Sequence, residues 1–178
     1  MKIFCHIPRE GWIVDRMAKE FQKNSSFEVS FDAIDEKTKI IWLLAGWCWN
    51  QIPTRYLDKH YVVCTIHHEV PWKFDAKRKL NFLKRDKYVN SYLTYNEETK
   101  KLIESMSNKN VTILPHWINT ELWKNMSKDE MRKTFNIPAD KFIIGSFQRD
   151  TEGHDLKTPK LEKGPDIFVK KVLEISKF

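Results

Sequence analysis

Short apolar runs alternate along this chain with longer polar stretches, and the two kinds of stretch follow different periods. The runs Ile3–Ile7, Phe27–Phe31, Ile40–Ala45, Tyr61–Ile66, Val89–Thr94, Val111–Leu114 and Phe142–Phe147 are rich in β-branched and aromatic residues. Continuous apolar runs of this kind predict strands covered on both faces, seven in all. Between them, Trp12–Lys23, Ala76–Arg85 and Glu97–Met106 place apolar residues such as Leu102, Ile103 and Met106 at helical spacing. Strand and helix in alternation predict an α/β fold, a Rossmann-like parallel sheet with helices on both faces. One polar stretch, Asp150–Lys160, has the length of a functional loop.

Composition narrows the class. A chain of 178 residues buries one full core and part of a second. The expected division is a first domain at 1–115, a crossover at 116–125 and the opening of an incomplete second domain at 126–178. Even the longest apolar run, Ile40–Ala45, is too short to span a bilayer, and the N-terminus lacks the apolar core of a secretory signal. A cytoplasmic protein, with at most a peripheral membrane contact, is the expectation. Cys5, Cys48 and Cys64 are odd in number and widely spaced, which fits buried reduced thiols rather than disulfides or a metal site. A formal charge of +7 favours anionic partners: nucleotide diphosphates, lipid headgroups or nucleic acid. Most cations, as in Lys77-Arg78-Lys79, read as solvated helix faces.

Two cations have a more telling setting. The run Phe142–Phe147 leads into Gln148-Arg149-Asp150, and Glu162-Lys163-Gly164-Pro165-Asp166 opens a helix. Arg149 at a strand end, with Lys163 and the backbone N–H groups at Gly164, makes a setting for phosphate. Upstream lie Val111-Thr112-Ile113-Leu114-Pro115-His116-Trp117-Ile118-Asn119-Thr120-Glu121-Leu122-Trp123 and Met131-Arg132-Lys133-Thr134-Phe135-Asn136-Ile137-Pro138. Residues 111–178 together resemble the retaining GT-B glycosyltransferases of family 4, whose crossover "P-x-G-I/V-D-x-x-x-F" precedes "R-x-x-x-G-I-P", "I-G-x-x-x-R" and "K-G". Trp117 stands where that pattern has glycine, and Asn119 where it has aspartate.

The resemblance implies a GT-B hexosyltransferase that moves a sugar from a nucleotide-diphosphate donor to a saccharide or lipid-linked acceptor with retention. The nucleotide sugar is a substrate, and no cofactor or metal is implied. Arg149, Lys163 and Gly164 would hold the diphosphate; Thr151–Glu162 separate the two cations more widely than in the family, so Lys157 or Lys160 is an alternative partner. His67, or failing that His68, at the end of Thr65-Ile66-His67-His68-Glu69, would lie near the donor sugar. The family's acidic Glu-x7-Glu pair would follow residue 178, so these residues alone are expected to be inactive.

Read from position alone, Arg9, Glu10 and Gly11 follow the first strand and fall at the same carboxyl edge of the sheet, where ligands bind. Trp47 and Trp49, in the loop after the third strand, offer rings on which an acceptor saccharide stacks. Trp42 and Trp72 belong to the same aromatic group. If residues 126–178 are not the start of a longer domain, the alternative is that they dock on the first domain, or on a second copy of the chain to give a homodimer. The rival reading is a non-catalytic basic Rossmann-like module that recognises nucleic acid or a phosphorylated partner; no RNA-binding signature or helix-turn-helix pattern supports it, and nucleic acid is not expected.

Overall fold

A computed structural model describes residues 1–11, 13–69, 73–147, 151 and 157–175. The chain divides into two compact units, Met1–Trp123 and Lys124–Phe178.

The first unit is an α/β domain of the Rossmann-like class. Its strands are β1 (Lys2–His6), β2 (Glu28–Ser30), β3 (Thr38–Leu43), β4 (Tyr61–Ile66), β5 (Ser91–Thr94) and β6 (Asn110–Ile113). They form one six-stranded sheet in the order β2-β1-β3-β4-β5-β6, every pair parallel. The helices are α1 (Ile13–Asn24), the single turn α2 (Thr54–Leu57), α3 (Ala76–Asp86) and α4 (Glu97–Glu104). Asp75 caps α3 by accepting from the Arg78 N–H, and Asn96 caps α4 by accepting from the Thr99 N–H, which satisfies donors a helix start leaves free.

Alternate strand residues face two cores. One face gathers Phe4, Leu43, Val62 and Tyr92 with Leu57 of α2, Phe82 of α3 and Ile103 of α4. The other gathers Ile3, Cys5, Trp42 and Leu44 with Val14, Met17 and Ala18 of α1. The split follows from handedness: the connection from β1 runs toward one sheet edge and the later ones toward the other, and right-handed crossovers then place their helices on opposite faces. The link from β2 to β3, residues 31–37, has no helix, so the first face is thinly covered over β1 and β2.

Cys5, Cys48 and Cys64 are free and buried. Burial pushes the Cys5 thiol up to about 12 and raises the other two. Among the described residues no helix is long and apolar enough to cross a membrane.

The second unit holds α5 (Lys128–Thr134) and α6 (Pro165–Ile175). Ser127 caps α5, and the Arg132 guanidinium ties the exit turn by donating to the carbonyls of Pro138 and Lys141. The seventh expected strand does not form: residues 141–147 carry no strand, and Phe142 and Phe147 are 88% and 101% exposed. A strand exists only through a paired neighbour, and among the described residues of this unit the pairing is a single antiparallel bridge, Thr151 with Pro159.

Inside the sheet, the indole N–H of Trp42 donates to Thr65 Oγ1 at 2.9 Å, and both residues are buried. Thr65→Val keeps the shape and orphans the indole N–H, so unfolding in urea is expected to show a loss of about 1–3 kcal/mol with an unchanged denaturant slope.

Candidate functional site at the carboxyl rim of the sheet

In an all-parallel sheet every strand ends on the same rim, and the loops there present side chains to a ligand. The strand order reverses at β1, which sets β1 beside β3 and opens the rim between the loops after those two strands. The loop after β1 is held by Asp15, the buried acid in the first turn of α1, whose carboxylate accepts from the N–H of Arg9 at 3.0 Å and of Gly11 at 2.6 Å. Both residues adopt left-handed backbone, Arg9 with φ 57° and Gly11 with φ 73°. For Arg9 that conformation costs energy, which the Asp15 clamp offsets. The Arg9 side chain reaches the link between β2 and β3, donating to Phe31 O at 3.0 Å and Asp32 Oδ1 at 3.3 Å. Glu10 is exposed.

The loop after β3 turns at once into a 3-10 helix, Gly46–Gln51, that lies against β4. Only glycine fits at its first residue. A Cβ on Gly46 would sit 2.9 Å from Thr65 O, 3.0 Å from Cys64 Sγ and 3.3 Å from Arg85 Nη1. The buried Arg85 guanidinium of α3 secures the same spot by donating to Gly46 O at 2.9 Å.

This close approach brings a row of rings together. Trp47, 46% exposed, lies 5.6 Å from the His67 ring; His67 lies 5.1 Å from Tyr95; and Tyr95 stacks on His116 at 3.6 Å and 12°. The four rings follow β3, β4, β5 and β6 in turn, so the order of strands in the sheet becomes the order of rings along the rim. His67 Nε2 lies 2.9 Å from Leu44 O. A carbonyl only accepts, so Nε2 carries the proton and Nδ1 is left as an acceptor. Burial, with smaller contributions from His116 and His68, lowers the His67 pKa, and burial also lowers that of His116. Tyr95 is pushed up to about 12 by burial, and its buried hydroxyl has no hydrogen-bond partner among the described residues. Half-buried Glu69, 3.6 Å from Arg78 Nη1, has its carboxyl pKa raised by burial against the pull of Arg78.

The structure thus joins Trp47 and His67 of the residues expected from sequence. His68, the next residue, is exposed. Trp49 belongs to packing instead: its indole N–H donates to Asn81 Oδ1 at 2.9 Å, and its ring stacks on Tyr88 beside the first core. Of the tryptophan pair, Trp47 alone stands in the ring row. Trp42 is buried. Arg149 and Trp72 lie outside the described residues. In the second unit Lys163 is exposed at the end of the 3-10 turn Leu161–Lys163, and Gly164, with φ 64°, leads into Pro165 as the first residue of α6. Tyr95, His116 and Gly46 are additions to the expected set. The strand-end position that marks His67 also marks Tyr95, directly after β5, and His116, just past β6. Among the described residues, no group of three His, Cys, Asp or Glu side chains is placed to hold a metal ion.

Comparisons with protein-family models, curated proteins and solved structures return no match. The class that can be stated is therefore that of the fold, a Rossmann-like α/β domain with an aromatic and imidazole rim.

Two outcomes follow from this geometry. Gly46→Ala overpacks the contact with β4 and is expected to cost about 1–3 kcal/mol in chemical unfolding, with a changed environment for the His67 ring in NMR spectra. His6, His67 and His116 all have folded pKa values lowered from about 6.5, mainly by burial. The folded rings bind protons more weakly than the unfolded ones, so their stabilising contribution is present above about 6.5 and is lost as pH falls through the lowered values. The thermal midpoint is expected to drop over that window, and His67→Gln to flatten the drop.

Proposed function

We propose that the chain belongs to a retaining glycosyltransferase that uses a nucleotide-diphosphate sugar, with the rim of the first unit as its sugar-facing surface. The observation that carries this reading is the row Trp47, His67, Tyr95 and His116. Ring faces of this kind pack against the C–H faces of a pyranose, and a neutral imidazole with a free Nδ1 accepts from a sugar hydroxyl. The parallel sheet with its ligand-facing carboxyl rim supports the same class of reading, as does the resemblance of residues 111–178.

In this mechanism His67 orients the donor sugar through Nδ1 while Leu44 O holds its other nitrogen. The acceptor oxygen bonds to the anomeric carbon on the face from which the diphosphate departs, and the acceptor proton passes to the leaving phosphate oxygen. Charge growing on that leaving group calls for fixed cations. In the second unit, Arg149 and Lys163 are the residues proposed for that role, with Lys157 or Lys160 as alternatives to Lys163.

Binding tests the reading directly. Saturation-transfer NMR with the full chain and a series of uridine, guanosine and adenosine diphosphate sugars is expected to find one donor whose sugar protons contact the protein. His67→Ala and Arg149→Ala are each expected to weaken it by about tenfold or more, the worth of one charge-assisted or buried hydrogen bond. Oligonucleotide binding with a steep salt dependence, and no contact with any nucleotide sugar, would overturn the assignment.

A further inference from the structure

The thin cover over β1 and β2 leaves a cavity of about 440 Å³ on the first face of the sheet, within the span of roughly 300–1,000 Å³ typical of small-molecule sites. Its floor is Phe4 of β1, and its walls include Ile34 from the link between β2 and β3, and Gln51 and Tyr56 from the segment leading through α2. Arg9 and Asp32 stand at one side. Trp47 and His67 do not line it.

The polar groups here are balanced and only partly used. Arg9 spends Nη2 on Phe31 O and Asp32, and among the described residues its other guanidinium N–H donors have no partner. Gln51 Oε1 accepts from His6 Nε2 at 3.0 Å, and its amide N–H groups have no partner among the described residues. The Asp32 carboxylate accepts, and its charge offsets that of Arg9. A free anion would meet that carboxylate, whereas a polyhydroxylated ring finds donors, acceptors and aromatic faces together. The left-handed backbone of Arg9, clamped by Asp15, fixes where the guanidinium leaves the chain.

We propose that this cavity is a second carbohydrate subsite, for one pyranose unit of a saccharide, with Arg9 and Asp32 hydrogen-bonding its hydroxyls. The choice of ligand class rests on the transferase reading; the site itself rests on the cavity and its polar lining.

The test uses the full chain with isotope-labelled isoleucine methyls and, as probes, the methyl pyranosides of glucose, galactose, mannose and N-acetylglucosamine. At least one is expected to shift the Ile34 and Ile52 resonances. Arg9→Ala and Asp32→Asn alter exposed side chains and leave the Arg9 N–H to Asp15 bond in place; each is expected to weaken pyranoside binding about tenfold with the fold intact, and His67→Ala to leave it unchanged. Absence of any shift at Ile34 and Ile52, or shifts confined to isoleucines outside the cavity, overturns the subsite. Nucleotide-sugar contacts that persist without pyranoside in the cavity keep the transferase reading and remove this one. Pyranoside in the cavity without any nucleotide-sugar binding does the reverse.

Discussion

A chain that pairs its strands in parallel must carry each connection back across a face of the sheet, and the direction of travel decides which face. Here β1 is the pivot. The chain leaves it toward β2 with α1 on one side, then crosses back and builds β3 through β6 with α2, α3 and α4 on the other. Two features of the surface follow from that single reversal. All six strand ends collect on one rim, and one face thins out where the helix layer stops short of β1 and β2. The ring row occupies the first, and the Arg9 cavity the second.

The rim is built on close packing rather than on the chemistry of its rings. Gly46 lets the turn after β3 rest on the backbone of β4, Arg85 anchors it from beneath, and Leu44 O then stands where His67 Nε2 can reach it. The orientation of the imidazole is thus inherited from an aliphatic core and a missing side chain. Burial does the rest, since the desolvation that lowers the pKa of His67 and His116 keeps both rings neutral, with an acceptor nitrogen available, near neutral pH.

Much of this was legible in the residue pattern. Six of the seven apolar runs are strands, displaced by at most two residues at their ends, and the three longer helices of the first unit lie where apolar spacing put them. The runs succeeded because both faces of the sheet are covered, which makes burial continuous along each strand. The seventh run failed on the same principle: Phe142–Phe147 has the right residues, but pairing is a property of neighbours and not of a segment. His67 was visible because it ends a strand. Tyr95 directly follows β5 and His116 lies just past β6, yet a tyrosine after an apolar run looks like more core, and His116 falls inside a motif that reads as a connection. Trp49 could not be told from Trp47 by sequence, because two residues of a 3-10 turn separate a ring on the rim from one beside Tyr88. The energetic role of Gly46 was equally hidden, since nothing in its neighbours announces how near β4 will come.

The three buried thiols give the first unit an internal record of its own opening. Cys5 lies in β1, Cys48 in the turn beside the rim and Cys64 in β4, and burial suppresses the thiolate at each. A thiolate is the form that reacts with alkylating reagents, so modification waits on exposure. Labelling rates at these three positions therefore time the departure of β1, the rim turn and β4 separately, without any foreign probe being added to the chain.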